Sequence, residues 1–157
     1  MGWGLLQIAL IALLGGLLVA AGIEDVRRRE IANAKTGAIA LLAPLWWLAI
    51  GVAPWPDLAV QLGVALLVFA LFCAAFHFGQ MGGGDVKLIG ALALWLSPAA
   101  LLTLLAVMSI VGGALTLIMV LDHKFARRSR ALEVPYGVAI AVAGLLAFRE
   151  PVFNQFT

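Results

Sequence analysis

Hydrophobic side chains fall in long runs along this chain, and polar ones gather in the short intervals between them. A hydrocarbon core about 30 Å thick is crossed by about 20 apolar residues at helical rise, so runs of that order define the elements. Three runs free of charged side chains extend from about Trp3 to Ile23, Gly37 to Ala53 and Leu58 to Phe78. A shorter stretch, about Val86 to Leu96, ends at Ser97-Pro98, where the residue before proline avoids helical geometry. A fifth run follows from about Ala99 to Leu121. The last, about Gly137 to Phe148, is short, and suits a helix that stops partway with its backbone ends met by protein or water. The pattern predicts an all-α integral membrane protein of about six transmembrane helices, some short, with loops at 24–36, 79–87 and 122–136. No internal repeat or interdomain linker interrupts it, so residues 1–157 read as one membrane-embedded domain.

Composition names the solvent. Hydrophobic residues make up 64% and charged residues 11%, against roughly half and a quarter in ordinary soluble chains. Lipid must therefore face most of the surface. The five Trp are expected at the headgroup boundary and the eight Phe in hydrocarbon. No basic side chain precedes the first apolar run, which is too long for a cleaved secretory signal, so a retained first span is expected. The net charge of +2 is small, but nine of the ten Lys and Arg sit in the first, third and fifth loops. By the positive-inside rule those loops face the cytoplasm and both termini lie outside, in the cell inner membrane, with Arg149 the exception. The lone Cys73 excludes a disulfide within the chain and a four-thiolate zinc site, and reads as a small core residue. No metal, cofactor or nucleic-acid partner is expected.

Chemistry must come from eight carboxylates: Glu24, Asp25, Glu30, Asp57, Asp85, Asp122, Glu133 and Glu150. Asp57 opens the third run behind Trp55-Pro56 and suits a helix N-cap. Glu30, Asp122 and Glu133 lie among Arg and Lys, where weak solvated ion pairs are the default, and Glu150 adjoins Arg149. Asp25 follows the run ending at Ile23, at the cytoplasmic edge of the first span. Burial there raises a carboxyl pKa, while Arg27, Arg28 and Arg29 lower it. Position alone favours a solvated boundary charge, with Glu24 a local competitor. Asp85 sits in Gly79-Gln80-Met81-Gly82-Gly83-Gly84-Asp85-Val86-Lys87, where four glycines precede the acid. Glycines allow close approach of another backbone, as an extended peptide beside a carboxylate requires. An Asp N-cap behind a flexible linker is the plainer reading. A phosphate-binding loop fits poorly, because the Gly-Lys-Ser/Thr ending is missing.

Topology adds what neither segment has alone, since the first and third loops share a membrane face and bring Asp25 and Asp85 to one level. Two carboxylates around one water cannot both ionise easily, so they share a proton. One then acts as base on the water and the other as acid toward a peptide carbonyl.

At this point the residues resemble a family. Asp25-Val-Arg-Arg-Arg-Glu-Ile-Ala-Asn33 is similar to the Asp-x-Arg-x-Arg-x-Ile-Pro-Asn stretch of the type IV prepilin peptidases, and Gly82-Gly83-Gly84-Asp85-Val86-Lys87 matches their Gly-x-Gly-Asp-Val-Lys motif. Val134-Pro135-Tyr136-Gly137-Val138-Ala139-Ile140 resembles the Pro-Tyr-Gly segment before the family's last helix. The resemblance implies that Asp25 and Asp85 are the catalytic pair of a metal-independent aspartic endopeptidase. Gly82, Gly84, Lys87, Arg27 and Asn33 support its motifs. It implies a prepilin or pilin-like substrate with a basic leader before a hydrophobic helix, cut at the cytoplasmic face. Membrane anchoring is the plainer role for Lys87 and Arg27, and Asn33 could cap the second span. Ala32 replaces the family's proline, which loosens the turn into the second span. The Cys-x-x-Cys domain with which longer members N-methylate the cleaved pilin is missing. The chain thus resembles the short members of Flp or tight-adherence systems, and peptidase activity without methyl transfer is expected. Two other classes stay open: a small ion- or proton-coupled transporter, against which the charge-free spans argue, and a nonenzymatic assembly subunit.

Overall fold

The computed structural model describes residues 2–126 and 136–148. Its six helices are α1 (Gly2–Arg28), α2 (Asn33–Ile50), α3 (Asp57–His77), α4 (Gly83–Ala93), α5 (Pro98–Ala126) and α6 (Tyr136–Ala147), and no strand occurs among the described residues. Long and short helices alternate. Within α1, α3 and α5 lie segments of 25, 21 and 25 residues, each long and apolar enough to cross a membrane. At about 1.5 Å per residue, the 11 residues of α4 reach only about half the hydrocarbon thickness, and the 12 of α6 little more. The expected six spans are therefore three long ones, the 18-residue α2, and two short helices.

Burial follows the same division. The long helices turn large side chains outward, with Leu66 and Leu67 of α3 and Ile110 and Ile118 of α5 all more than 60% exposed. By contrast, α4 buries Val86, Leu88, Ile89, Ala91, Leu92 and Ala93 together with Asp85. Helix α6 buries Gly137, Ala139, Ile140, Ala141, Ala143, Gly144 and Ala147. A helix apolar on every face is placed either in lipid or in a protein interior, and here both occur. Contacts run α1 to α2, α2 to α4, α4 to α6 and α6 back to α1, a closed ring, with α3 laid against α4 and α5 against α6. Small residues let α6 approach its neighbours closely. A Cβ at Gly144 would lie 2.9 Å from Leu18, and one at Gly112 would lie 3.1 Å from Tyr136. Gly15 likewise faces Leu145, so one member of each paired glycine in α1 and α5 packs within the chain.

A helix that stops short leaves carbonyls without donors, which hydrocarbon cannot supply. At the end of α4 every carbonyl from Ala91 to Ser97 accepts a hydrogen bond. The amides of Leu94, Trp95 and Leu101 donate to Ala91, Leu92 and Ser97. Gln61 Nε2 donates to Ala93 and Leu96, Trp47 Nε1 to Leu94, and Trp46 Nε1 to Trp95. Trp95 in turn donates to Ile39 of α2 at 2.8 Å and stacks on Trp46 at 5.6 Å. Phe148 meets both rings edge-on. Trp46 and Trp95 are thus buried partners of backbone carbonyls, not the boundary residues expected from composition.

Two loops are shorter than their charge suggests. Helix α1 continues through Glu24, Asp25 and Arg27 to Arg28, and α2 starts at Asn33, leaving 29–32 of the expected 24–36 loop. Helix α4 begins at Gly83 inside the expected 79–87 loop. In the third, α5 runs on to Ala126, and 127–135 lie outside the described residues. The caps differ too. Asp57 is the first residue of α3 behind Pro56, which makes no side-chain capping bond, so it complements the helix dipole without capping. Ala32 occupies the N-cap of α2, so Asn33 does not cap it.

Candidate active site

Asp25 lies one turn before the end of α1, where helical spacing turns it inward and its neighbour Glu24 toward the loop. Asp25 is 5% exposed, as buried as the core around it. The chain then turns sharply. The Arg29 amide donates to the Asp25 carbonyl at 2.9 Å, and Arg29 takes a left-handed φ of 58°, uncommon outside glycine. Glu24 fixes the turn into α2, accepting from the Ala32 amide at 3.0 Å and from Lys35 Nζ at 2.6 Å. This is the sole ion pair among the described residues, so Glu30 makes none with them, while the basic neighbours of Asp122, and Glu133 itself, lie outside the described side chains. Glu24, expected as a rival to Asp25, instead holds the loop that carries Ile31.

Ile31 is the contact between the two aspartate segments. A Cβ at Gly84 would stand 3.2 Å from the Ile31 amide and its Cβ, and one at Gly137 would stand 2.9 Å from its Cδ1. The same Cβ at Gly137 would sit 2.8 Å from Asp25 Oδ2. Glycine at 137 is thus a requirement of space, and at 84 a side chain would press on Ile31 by a few tenths of an ångström. Helix α6 begins at Tyr136, and its first amides, of Gly137 and Val138, face the Asp25 carboxyl. Asp25 Oδ2 nonetheless completes no hydrogen bond and is buried without a partner among the described residues. An unsatisfied buried oxygen is costly, which marks this atom as one that a proton or a bound molecule completes.

Asp85 is not the N-cap of α4. Gly82 holds that place with extended backbone, and Asp85 sits three residues further, 8% exposed, its Oδ2 close to Gly82. Burial, reinforced by the charge of Asp25 and opposed by the Gly82 amide, pushes the Asp85 carboxyl up to about 7. A carboxyl raised this far holds a proton near neutrality, the state in which it can act as an acid.

Both aspartates line one cavity of about 470 Å³, bounded by Arg28, Arg29 and Ile31 from the α1–α2 turn and by Gly82 to Gly84 from the start of α4. The two segments 60 positions apart do meet at one end of the helix ring. Lys87 and Asn33 also line the cavity and are joined, Lys87 Nζ donating to Asn33 Oδ1 at 2.8 Å. Asn33 thus ties α2 to α4 in place of capping. Arg27 is exposed and does not line the cavity; its neighbours Arg28 and Arg29 do. Among the residues of the third motif, Val134 and Pro135 lie outside the described residues, while Gly137 abuts Asp25. No group of three or more metal-binding side chains occurs among the described residues. Sequence reasoning missed Glu24 as a brace and Gly137 as a spacer. Its signal for Gly137 was the Tyr136-Gly137 pair.

A model of the type IV leader peptidase family matches residues 11–117, a stretch that contains both aspartates. The prepilin leader peptidase/N-methyltransferase of Xanthomonas campestris pv. campestris is 32% identical over 119 residues, which cover 69% of this chain and 40% of that protein. The chain therefore spans less than half the length of that relative. No solved structure matches.

Proposed function

The chain belongs to the type IV leader peptidase family, and from that premise we propose that it is an aspartic endopeptidase that removes the leader peptide from type IV or Flp-type prepilins. Asp25 and Asp85 are its catalytic pair. The observation that carries this reading is Asp25 Oδ2, buried without a partner among the described residues, in the same cavity as the buried Asp85 carboxyl, whose pKa burial and the nearby Asp25 push up. The pair holds one proton between them and titrates as a unit. The ionised carboxylate takes a proton from water as the water oxygen attacks the scissile carbonyl, and the protonated one donates to the carbonyl oxygen. When the tetrahedral intermediate collapses, the C–N bond breaks and the amine leaves with a proton from the pair.

Gly82 keeps a side chain off the Asp85 carboxyl, Gly84 leaves room for Ile31, and Lys87 with Asn33 holds α4 against α2. The reading is metal-independent, so a chelator leaves cleavage unchanged. It places the cavity at the cytoplasmic face of the inner membrane with both termini outside. Outside labelling in intact cells therefore misses probes at 29–32 and 79–82. For this chain we also propose peptidase chemistry without methyl transfer, which a purified sample methylating processed pilin from S-adenosylmethionine would overturn.

The deciding measurement incubates purified protein with a prepilin, comparing the natural chain with Asp25→Asn and Asp85→Asn. Cleavage by the natural chain alone is expected. An unchanged rate in either variant would refute the assignment.

A further inference from the structure

Beside the aspartate cavity lies a second, larger hollow of about 650 Å³, lined by Gly37 and Ala40 of α2, Leu62, Leu66 and Phe69 of α3, and Gly90 of α4. Its character is opposite. Apart from Asn33, Thr36 and Lys87, every residue that lines it is apolar or glycine. Leu62, Leu66 and Phe69 are 43%, 69% and 38% exposed, so the groove opens sideways toward lipid. Two residues line both spaces, Asn33 and Lys87, the pair whose 2.8 Å hydrogen bond joins α2 to α4. The polar cavity, with a carboxylate oxygen unpartnered among the described residues, and the apolar groove therefore adjoin at the Asn33–Lys87 bridge, with opposite polarity on its two sides.

Resting on the leader peptidase reading above, we propose that this groove docks the apolar helix of the substrate, whose polar leader lies in the aspartate cavity. The Asn33–Lys87 bridge sits where the substrate turns from extended leader to helix. An acyl chain also fits apolar walls, but it gains nothing from a groove that leads into a buried carboxylate pair. Only an occupant polar at one end and apolar at the other uses both spaces. Gly37 supplies the probe, because it lines the groove and a Cβ there meets nothing within 4 Å.

The experiment uses a synthetic precursor with a basic leader, a glycine at the cut and a Leu/Ala helix of about 20 residues carrying one photoreactive side chain at its middle. A truncated form lacks the helix. With the natural chain in nanodiscs, crosslinks are expected on Leu62, Leu66 and Phe69. In Gly37→Phe the ratio of kcat/KM for the precursor to that for the truncated peptide falls about tenfold, mainly through KM. Crosslinks confined to other helices, an unchanged ratio, or labelling of the groove by a photoreactive lipid but never by the precursor would overturn the inference while cleavage stands. A natural chain that cuts neither substrate overturns the peptidase reading, and this inference with it.

Discussion

The two ends of α4 are built on opposite rules. At its C-terminal end a run of seven carbonyls, Ala91 to Ser97, is fully bonded, with indoles and a carboxamide drawn from α2 and α3. At its N-terminal end no side chain caps the helix, glycines replace bulk, and two carboxyls are buried with one oxygen unpartnered among the described residues. One end has its polar groups satisfied by the chain itself, while the other leaves them for something else to satisfy. Structural and reactive polar groups are thus separated by their partners more than by their burial.

The contrast breaks if the two ends respond alike to substitution. The largest effect is expected at the reactive end. Asp25→Asn or Asp85→Asn lowers cleavage by about 10² to 10⁴-fold, yet leaves the thermal midpoint undiminished, since a neutral amide is easier to bury than a carboxylate. A large drop in midpoint would make the aspartates structural. Next, Gly137→Ala pushes a methyl against Asp25 Oδ2 and Ile31. A shift of about 1 Å in a reacting group costs up to about 10²-fold, so its cleavage rate falls well beyond its stability.

The third expectation concerns pH. The unfolded Asp85 carboxyl releases its proton near 3.8 and the folded one near 7. Stability is therefore full below the lower value and declines as pH rises through the upper one. Unfolding midpoints of the natural chain should fall across that window, and the fall should shrink in Asp85→Asn. Smallest is Gln61→Leu at the structural end, which strands the carbonyls of Ala93 and Leu96. It costs about 1–3 kcal/mol of stability, measured by denaturation, while activity per folded molecule is kept.

How far the sequence could be read follows the same division. Helix count, helix order and a common end for Asp25 and Asp85 were legible because apolar runs and loop charges are local signals, whereas their meeting in one cavity was not. The end of α1 was not. Arg27 and Arg28 read as loop, but they are good helix formers and complement the dipole in the last turn, so α1 continues past its apolar run and carries Asp25 inside. The indoles gave no local sign of their role either. Trp46 and Trp95 are 49 positions apart, and only the fold decides that one ring donates to the other's backbone. Gly84 announced an open space, but not that Ile31 would occupy it.

The bonds at the far end of α4 also act as a ruler for its near end. Trp46, Trp47 and Gln61 anchor the C-terminal carbonyls to α2 and α3, and the helix rises from there as a rigid rod to Asp85. Height and compass bearing of that carboxyl are therefore set about eight residues away. One residue added between Asp85 and Ala93 would lift it by about 1.5 Å and swing it by about 100°, turning it off the cavity while every anchoring bond stayed in place.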